Sequence, residues 1–452
     1  MRRSSRERKT VEFYTAEPAI SIRRSSNSAV VSSSEDEDSS DEETHHHKQK
    51  RTIASKQSSR SKSSTAPARK KTKKASSSNA SVIAKCRSKN VIFHAIVSNK
   101  SLPATVDKWY TSFSENNVSA MATLVNSLLL ASGSRDDCID EGMDLEGLDS
   151  SELEEVLTDM VSDVKDEQRN RLLGSKKKTS KANVSNDDVG YSYPLGTSER
   201  KSNSFRVHFQ SFWNILLNKV LTLQQQQSSK KLNLNTIPMR LLLSLAEILM
   251  ALSNLSSLPS LRDTVTEALL QLTVTILTVC VLPLRTQITA SKRQSSAVSG
   301  GEGGGGSAKL NAIQAIQKKA EQSLEHYQNL VSTIFNTIFV HRYKDHFAVI
   351  RTTCAHYLGQ FMLADPEKFL DDTYLKYLGW LANDSATSVR RAVVTSLVTV
   401  LTDTTLPEVV RVAQRMKEFS ERFIDRWVEM AVGDLDEEVS FNMIRVMREF
   451  QR

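Results

Sequence analysis

The chain has 452 residues and a formal net charge of +8, but the basic excess is not evenly spread. Residues 1–90 hold 21 Lys and Arg against 10 Asp and Glu, whereas the remaining 362 are slightly acidic, so the overall charge says nothing direct about a nucleic-acid face on the folded part. Four scattered cysteines (Cys86, Cys138, Cys280 and Cys354) with no C-x-x-C pair argue against a disulfide framework and a structural zinc site, and the polar start MRRSSRERKT lacks the apolar run of a secretory signal. The expectation is a protein of the cytosol or nucleus.

Residues 1–88 are rich in Ser, Lys, Arg and acidic blocks and poor in large apolar side chains, which predicts a disordered tail. Within it, Ser34 and Ser40 each precede three acidic residues, the pattern favoured by acidophilic kinases; a plain solvated acidic run is the other reading. The cluster Arg69, Lys70, Lys71, Lys73 and Lys74 fits a nuclear-import signal, or again a solvated charge run.

Apolar periodicity begins near Asn90. Val106, Trp109, Tyr110 and Phe113 fall on one helical stripe, and Met121, Leu124, Val125 and Leu128 on the next. Residues 136–167 carry 14 acidic residues and a single Lys165, with a short amphipathic helix expected to turn Leu153, Val156, Leu157 and Met160 inward. Residues 174–190 read as an exposed loop. A further helical block runs from Phe205 to about Gln287, with Pro238 and Pro259 marking first turns or breaks. Val265 to Leu284 approaches the length of a membrane span, but Glu267, Gln271 and four threonines favour a buried core helix and no membrane. The Gly/Ser-rich stretch within 288–308 predicts a disordered linker, and one long helix is expected over 309–334.

Residues 335–452 contain a regularity. Asp345 precedes Ile350 and Arg351, Asp384 precedes Val389 and Arg390, and Asp434 precedes Val439, each at the same spacing. An Asp in a turn, a β-branched residue five positions on and then Arg is the signature of HEAT-type helix pairs, which stack because each has an apolar face it cannot bury alone. The fold class expected is all-α: a HEAT-repeat-like helical solenoid with a disordered N-terminal tail and a disordered internal linker. The apolar ending VSFNMIRVMREFQR lacks a polar capping repeat, so a fragment of a longer solenoid is expected. No phosphate loop, nucleophile elbow, H-E-x-x-H or dinucleotide fingerprint occurs, and the histidines share no face with a carboxylate pair. The residues therefore point to a binding protein without catalytic, cofactor or metal residues.

The segments FVHRYKD, DDTYLKYLGW and RFIDR resemble the stromalin conservative domain of the STAG family of cohesin subunits. SLPATVDKWY and DVGYSYPLG, with the sequence around each, resemble that family's N-terminal helices. The resemblance covers residues 90–452, dividing them into an N-terminal stromalin region (89–287), the linker (288–308), a connecting helix (309–334) and the conservative domain (335–452). It implies a non-catalytic nuclear scaffold on chromatin that supports sister-chromatid cohesion. The partners implied are the kleisin and other cohesin ring subunits, DNA, and regulators bearing short aromatic motifs. It also implies that Asp372, Lys376, Tyr377, Trp380, Arg422 and Phe423 receive those motifs. An exposed aromatic pair beside a guanidinium has the composition of a binding hot spot, although Trp380 and Phe423 could equally pack between repeats. Candidate phosphate contacts for DNA are Lys292, Arg293, Arg342, Lys344, Arg390 and Arg391, with solvated charge as the plainer reading. The alternative is another HEAT scaffold, of the transport-receptor or phosphatase type.

Overall fold

The computed structural model describes residues 86–176, 193–196, 204–227, 236–255, 258–299, 306–402 and 416–451. Among them there are helices and connecting turns and no strand. The tail calls, Ser34, Ser40 and the basic cluster Arg69, Lys70, Lys71, Lys73 and Lys74, lie outside the described residues.

Helices α1 (Val91–Ser98), α2 (Leu102–Glu115) and α3 (Asn117–Ala131) start the body. Asn90 caps α1 by accepting the Phe93 N–H, and Asn116 caps α3 by accepting that of Ser119, so donors that a helix start would leave orphaned are satisfied. On α2 the predicted stripe holds: Val106, Trp109 and Phe113 are buried and Tyr110 packs at the edge. The Trp109 indole N–H donates to the Ala120 carbonyl at 2.8 Å, pinning α2 to α3. The acidic helix α4 (Ser150–Lys176) is longer than expected and turns Leu153, Leu157 and Met160 inward, with Val156 half-buried. It continues through Lys176, three residues into the predicted loop, whose remainder lies outside the described residues.

Helix α5 (Ser204–Gln227) carries an aromatic stripe of Phe205, Phe209, Phe212 and Trp213. The two prolines stand where a missing N–H costs least, Pro238 second in α6 (Ile237–Leu255) and Pro259 first in α7 (Pro259–Ile276). Two stretches, Ile237–Asn254 and Pro259–Val298, are long and apolar enough to cross a membrane. More than half of the most apolar 18 residues in each is buried inside the fold, and α7 is packed by α5 and α6, as the core-helix reading expects.

A π-turn (Leu277–Val281) joins α7 directly to α8 (Leu282–Ser299), which lies along α9 (Gly306–Ile334). The linker boundary is corrected here: 288–299 is helical, α9 begins at Gly306, and only 300–305 lies outside the described residues. Ser-rich composition hid this, because α8 needs only Ile288 and Ser291 buried against its neighbour and continues a helix already nucleated in α7.

A second π-turn (Phe335–Phe339) and the short α10 (Val340–Arg342) lead into the repeats: α11 (Ala348–Ala364), α12 (Pro366–Phe369), α13 (Asp372–Leu381), α14 (Thr387–Thr402), α15 (Lys417–Gly433) and α16 (Glu437–Gln451). Helix α11 packs on α7 and α14, and α14 on α16. Helical spacing predicts one stripe of Phe347, Ile350, Cys354, Tyr357, Leu358 and Phe361 and another of Val389, Ala392, Val393, Leu397 and Val400; all are buried except Phe347 and Ala392, which are half-buried. At the far end Val432, Leu435, Phe441 and Ile444 are exposed.

Candidate binding face

Each repeat turn is built around one aspartate with two jobs. Asp345, Asp384 and Asp434 accept the backbone N–H two residues on, from Phe347, Ala386 and Asp436, which fixes the turn. Each also accepts a two-pronged arginine from the preceding repeat. Arg262 reaches Asp345 at 2.9 and 3.0 Å, Arg351 reaches Asp384 at 2.6 and 2.8 Å, and Arg390 reaches Asp434 at 2.6 and 2.9 Å. The remaining nitrogen of Arg351 donates to the Asp345 and His346 carbonyls, and that of Arg390 to the Asp384 and Ser385 carbonyls. The spacing noticed in the sequence is therefore a ladder: Arg351 and Arg390 each hold their own turn by the carbonyls and the next turn by the carboxylate. The Arg390 hydrogen bond is the main influence holding the Asp434 carboxyl below its ordinary value. Burial alone would raise Asp345, but hydrogen bonds from Arg262 and the Phe347 N–H, with the charges of Arg262 and Arg342, outweigh it and hold that carboxyl low.

Beside the ladder the aromatic side chains of α10 to α13 form a continuous stack. Phe335 and Phe339 lie 4.5 Å apart, both meet Tyr377 edge-on, and Tyr377 meets Tyr343 at 4.9 Å and Trp380 at 5.4 Å. Tyr343 and Trp380 are stacked at 5.9 Å. Tyr377 is buried and supports the others, whereas Trp380 is 48% exposed, unusual for so large an apolar surface. Lys376 holds its ammonium 5.3 Å from the Tyr377 ring centre and 5.7 Å from that of Trp380. Across from α13, Arg422 on α15 donates to Asp372 at 2.6 Å, with both side chains about half exposed. Phe423 is half-buried and packs against Phe419 and the backbone of Gly379, so close that a Cβ on Gly379 would overlap its ring. Of the two readings open for these rings, packing describes Phe423 and exposure describes Trp380. The six residues predicted to receive a peptide thus belong to two adjacent helices bridged by Arg422–Asp372 and by Phe423 on Gly379.

Residues 344–424 match the family described as the Stromalin conservative domain, a span that holds Tyr377, Trp380 and Phe423 of the aromatic face and two of the three ladder aspartates. This span is of the stromalin type. Similar proteins include the cohesin subunit scc-3 of Caenorhabditis elegans, 32% identical over 143 residues, which cover 32% of this chain and 12% of that protein. The cohesin subunit SA-3 of Mus musculus is 27% identical over 362 residues, which cover 80% of this chain and 25% of that protein. The chain therefore spans about a quarter of the length of that mouse relative. Among solved structures, cohesin subunit Scc3 from Z. rouxii shares the fold with a TM-score of 0.56 at 22% identity, over 80% of this chain and 37% of that one.

The candidate phosphate contacts are not presented alike. Arg390 is corrected: it is 8% exposed and committed to Asp434, so it belongs to the ladder and not to a nucleic-acid face. Arg391 is paired with Asp436 and Glu438, and Arg342 with Asp345 and the Ser253 carbonyl, so both positive charges are largely answered within the fold. Lys344, Lys292 and Arg293 are exposed, the last two on helix α8 and not on a linker.

Sequence reasoning missed one cluster. Arg206 on α5, 2% exposed, lies between Asp263 and Glu267 on α7, both fully buried. Its Nη1 donates to Glu267 at 2.5 Å and to Thr353 at 3.2 Å, and its Nη2 to Asp263 and to the Leu195 carbonyl at 3.2 Å. The Tyr193 hydroxyl donates to Asp263 at 2.9 Å, and the Tyr357 hydroxyl lies 3.0 Å from both Glu267 and Gln271. Burial pushes the Asp263 carboxyl up, and the Arg206 charge only partly offsets this. The signal was available: two acids four residues apart in an otherwise buried helix need a cation from somewhere.

Proposed function

We propose that this chain is a non-catalytic scaffold of the nuclear cohesin complex, supporting sister-chromatid cohesion, and that its aromatic face receives short aromatic motifs of regulators. The observation that carries the reading is the half-exposed Trp380, stacked on Tyr343 and flanked by Lys376, within the stromalin conservative domain. A large ring held rigid by buried neighbours gives contact area at little entropic cost, and the Arg422–Asp372 pair beside it supplies polar groups for a peptide backbone or carboxylate. The printed names of the relatives, cohesin subunits of worm and mouse, support the complex in which it works. Association with the kleisin and the other ring subunits, and residence on chromatin, belong to the same proposal.

For DNA we propose salt-dependent contacts of Lys344, Lys292 and Arg293 with backbone phosphates. The test of the main reading is co-purification of the tagged chain with the kleisin and the ring ATPase subunits, followed by titration of a fluorescent Phe- or Tyr-containing regulator peptide. Trp380→Ala should weaken the peptide by about 2 kcal/mol, the scale of an interface hot spot, while leaving ring association unchanged. Equal peptide binding by wild type and variant would overturn the assignment of the face, and absence of ring subunits would overturn the scaffold reading.

A further inference from the structure

We propose that the turn Tyr193–Gly196 is a latch that sets how firmly α11 is seated on the N-terminal helices, acting through the buried charges of Arg206, Asp263 and Glu267. The turn is short but anchored. Leu195 is fully buried, Tyr193 is 8% exposed, and the Gly196 N–H closes the turn on the Tyr193 carbonyl at 3.0 Å. Gly196 is needed there, because a Cβ would lie 2.7 Å from Tyr193 Cδ1 and nearer still to Cε1.

The turn supplies two groups to the cluster, the Tyr193 hydroxyl to Asp263 and the Leu195 carbonyl to Arg206. Asp263 depends on them. Its Oδ1 is buried with no donor among the described residues, so Tyr193 and Arg206, both on Oδ2, are the side chains that answer its charge. With the turn undocked, Asp263 keeps Arg206 alone and that guanidinium loses an acceptor. The stable response is a shift of Arg206 toward Asp263, away from Glu267 and Thr353.

That shift reaches the stromalin conservative domain. Thr353 and Tyr357 are on α11, and both meet Arg206 or Glu267 by hydrogen bonds with no exposed surface at either residue. Water cannot replace what is lost, because Asp263, Glu267, Thr353 and Tyr357 are all fully buried. Two sites far apart in sequence, 193–196 and 353–357, therefore share one guanidinium, and what loosens one loosens the other.

Hydrogen exchange of the full 452-residue chain tests this. Tyr193→Phe removes the hydroxyl and keeps the ring, Gly196→Ala displaces the turn and leaves the charges intact, and Tyr357→Phe approaches from the other side. The first two should speed exchange at 350–358 as well as at the turn by about tenfold, the scale of one hydrogen bond to a charged group, with α2 and α16 unchanged. Reciprocally, Tyr357→Phe should speed exchange at 193–196. Should Gly196→Ala fail to fold, the two hydroxyl deletions carry the test. Acceleration confined to the mutated end would overturn the proposal, and so would equal acceleration in every helix, which marks an ordinary contribution to global stability.

Discussion

Gly379 offers a sharp test of how α13 and α15 fit. In an exposed helix interior Gly→Ala stabilises by roughly 1 kcal/mol, because alanine has less backbone freedom to lose. Here the new methyl would stand 2.5 Å from Phe423 Cε2 and closer to Cζ and Cε1, while carbon atoms in comfortable contact sit about 3.5–4.0 Å apart. The ring edge must therefore retreat by more than about 1 Å. It cannot easily do so, since Phe423 is backed by Phe419 at 4.9 Å. Overpacking of this kind costs about 1–3 kcal/mol, so Gly379→Ala should be destabilising by about 1 kcal/mol net of the propensity gain. Urea denaturation of Gly379→Ala, Phe423→Leu and the double variant gives the coupling. The smaller leucine should absorb the methyl, leaving the double variant about 1–2 kcal/mol more stable than the sum of the singles predicts. Additive effects, or a stabilised Gly379→Ala, would refute the close approach of the two helices.

Three further outcomes are expected. Arg351→Ala leaves the half-buried Asp384 without its two-pronged partner and should cost about 2 kcal/mol in urea denaturation, while Arg351→Met with Asp384→Leu should recover most of it. Asp345 and Asp434 are held below their ordinary value of 3.8, so their contribution is present above about pH 4 and is lost as pH falls through the lower folded values; Asp434→Asn should flatten the acid limb of the stability profile. If Lys344 contacts phosphate, Lys344→Gln should weaken binding to any duplex sequence alike and reduce the salt slope by about 1, whereas Arg390→Gln should act on stability first.

Much of this architecture was legible in the sequence because helical burial leaves a period. The stripes of α2, α11 and α14 followed from spacing alone, and the repeated Asp marked the turns. What spacing could not give was partnership. Arg390 and Asp434 are 44 residues apart, so the sequence displayed a charge near the surface of a helix and not the carboxylate that consumes it. Arg206 was invisible for the same reason, its partners being 57 and 61 residues away. Length misled in α8, where a serine-rich segment stays helical because α9 supplies the packing. At the aromatic face, the resemblance named the residues, but only packing distinguishes the half-exposed Trp380 from the wedged Phe423.

The ladder also has a mechanical consequence. Tyr343 stands two residues before Asp345 and Trp380 four before Asp384, so each ring is carried by the turn that Arg351 ties to its neighbour. The gap between the stacked rings is thus geared to the angle between two successive helix pairs. A change of angle between these two helix pairs would spread or close the rings like the jaws of pliers whose pivot is a guanidinium.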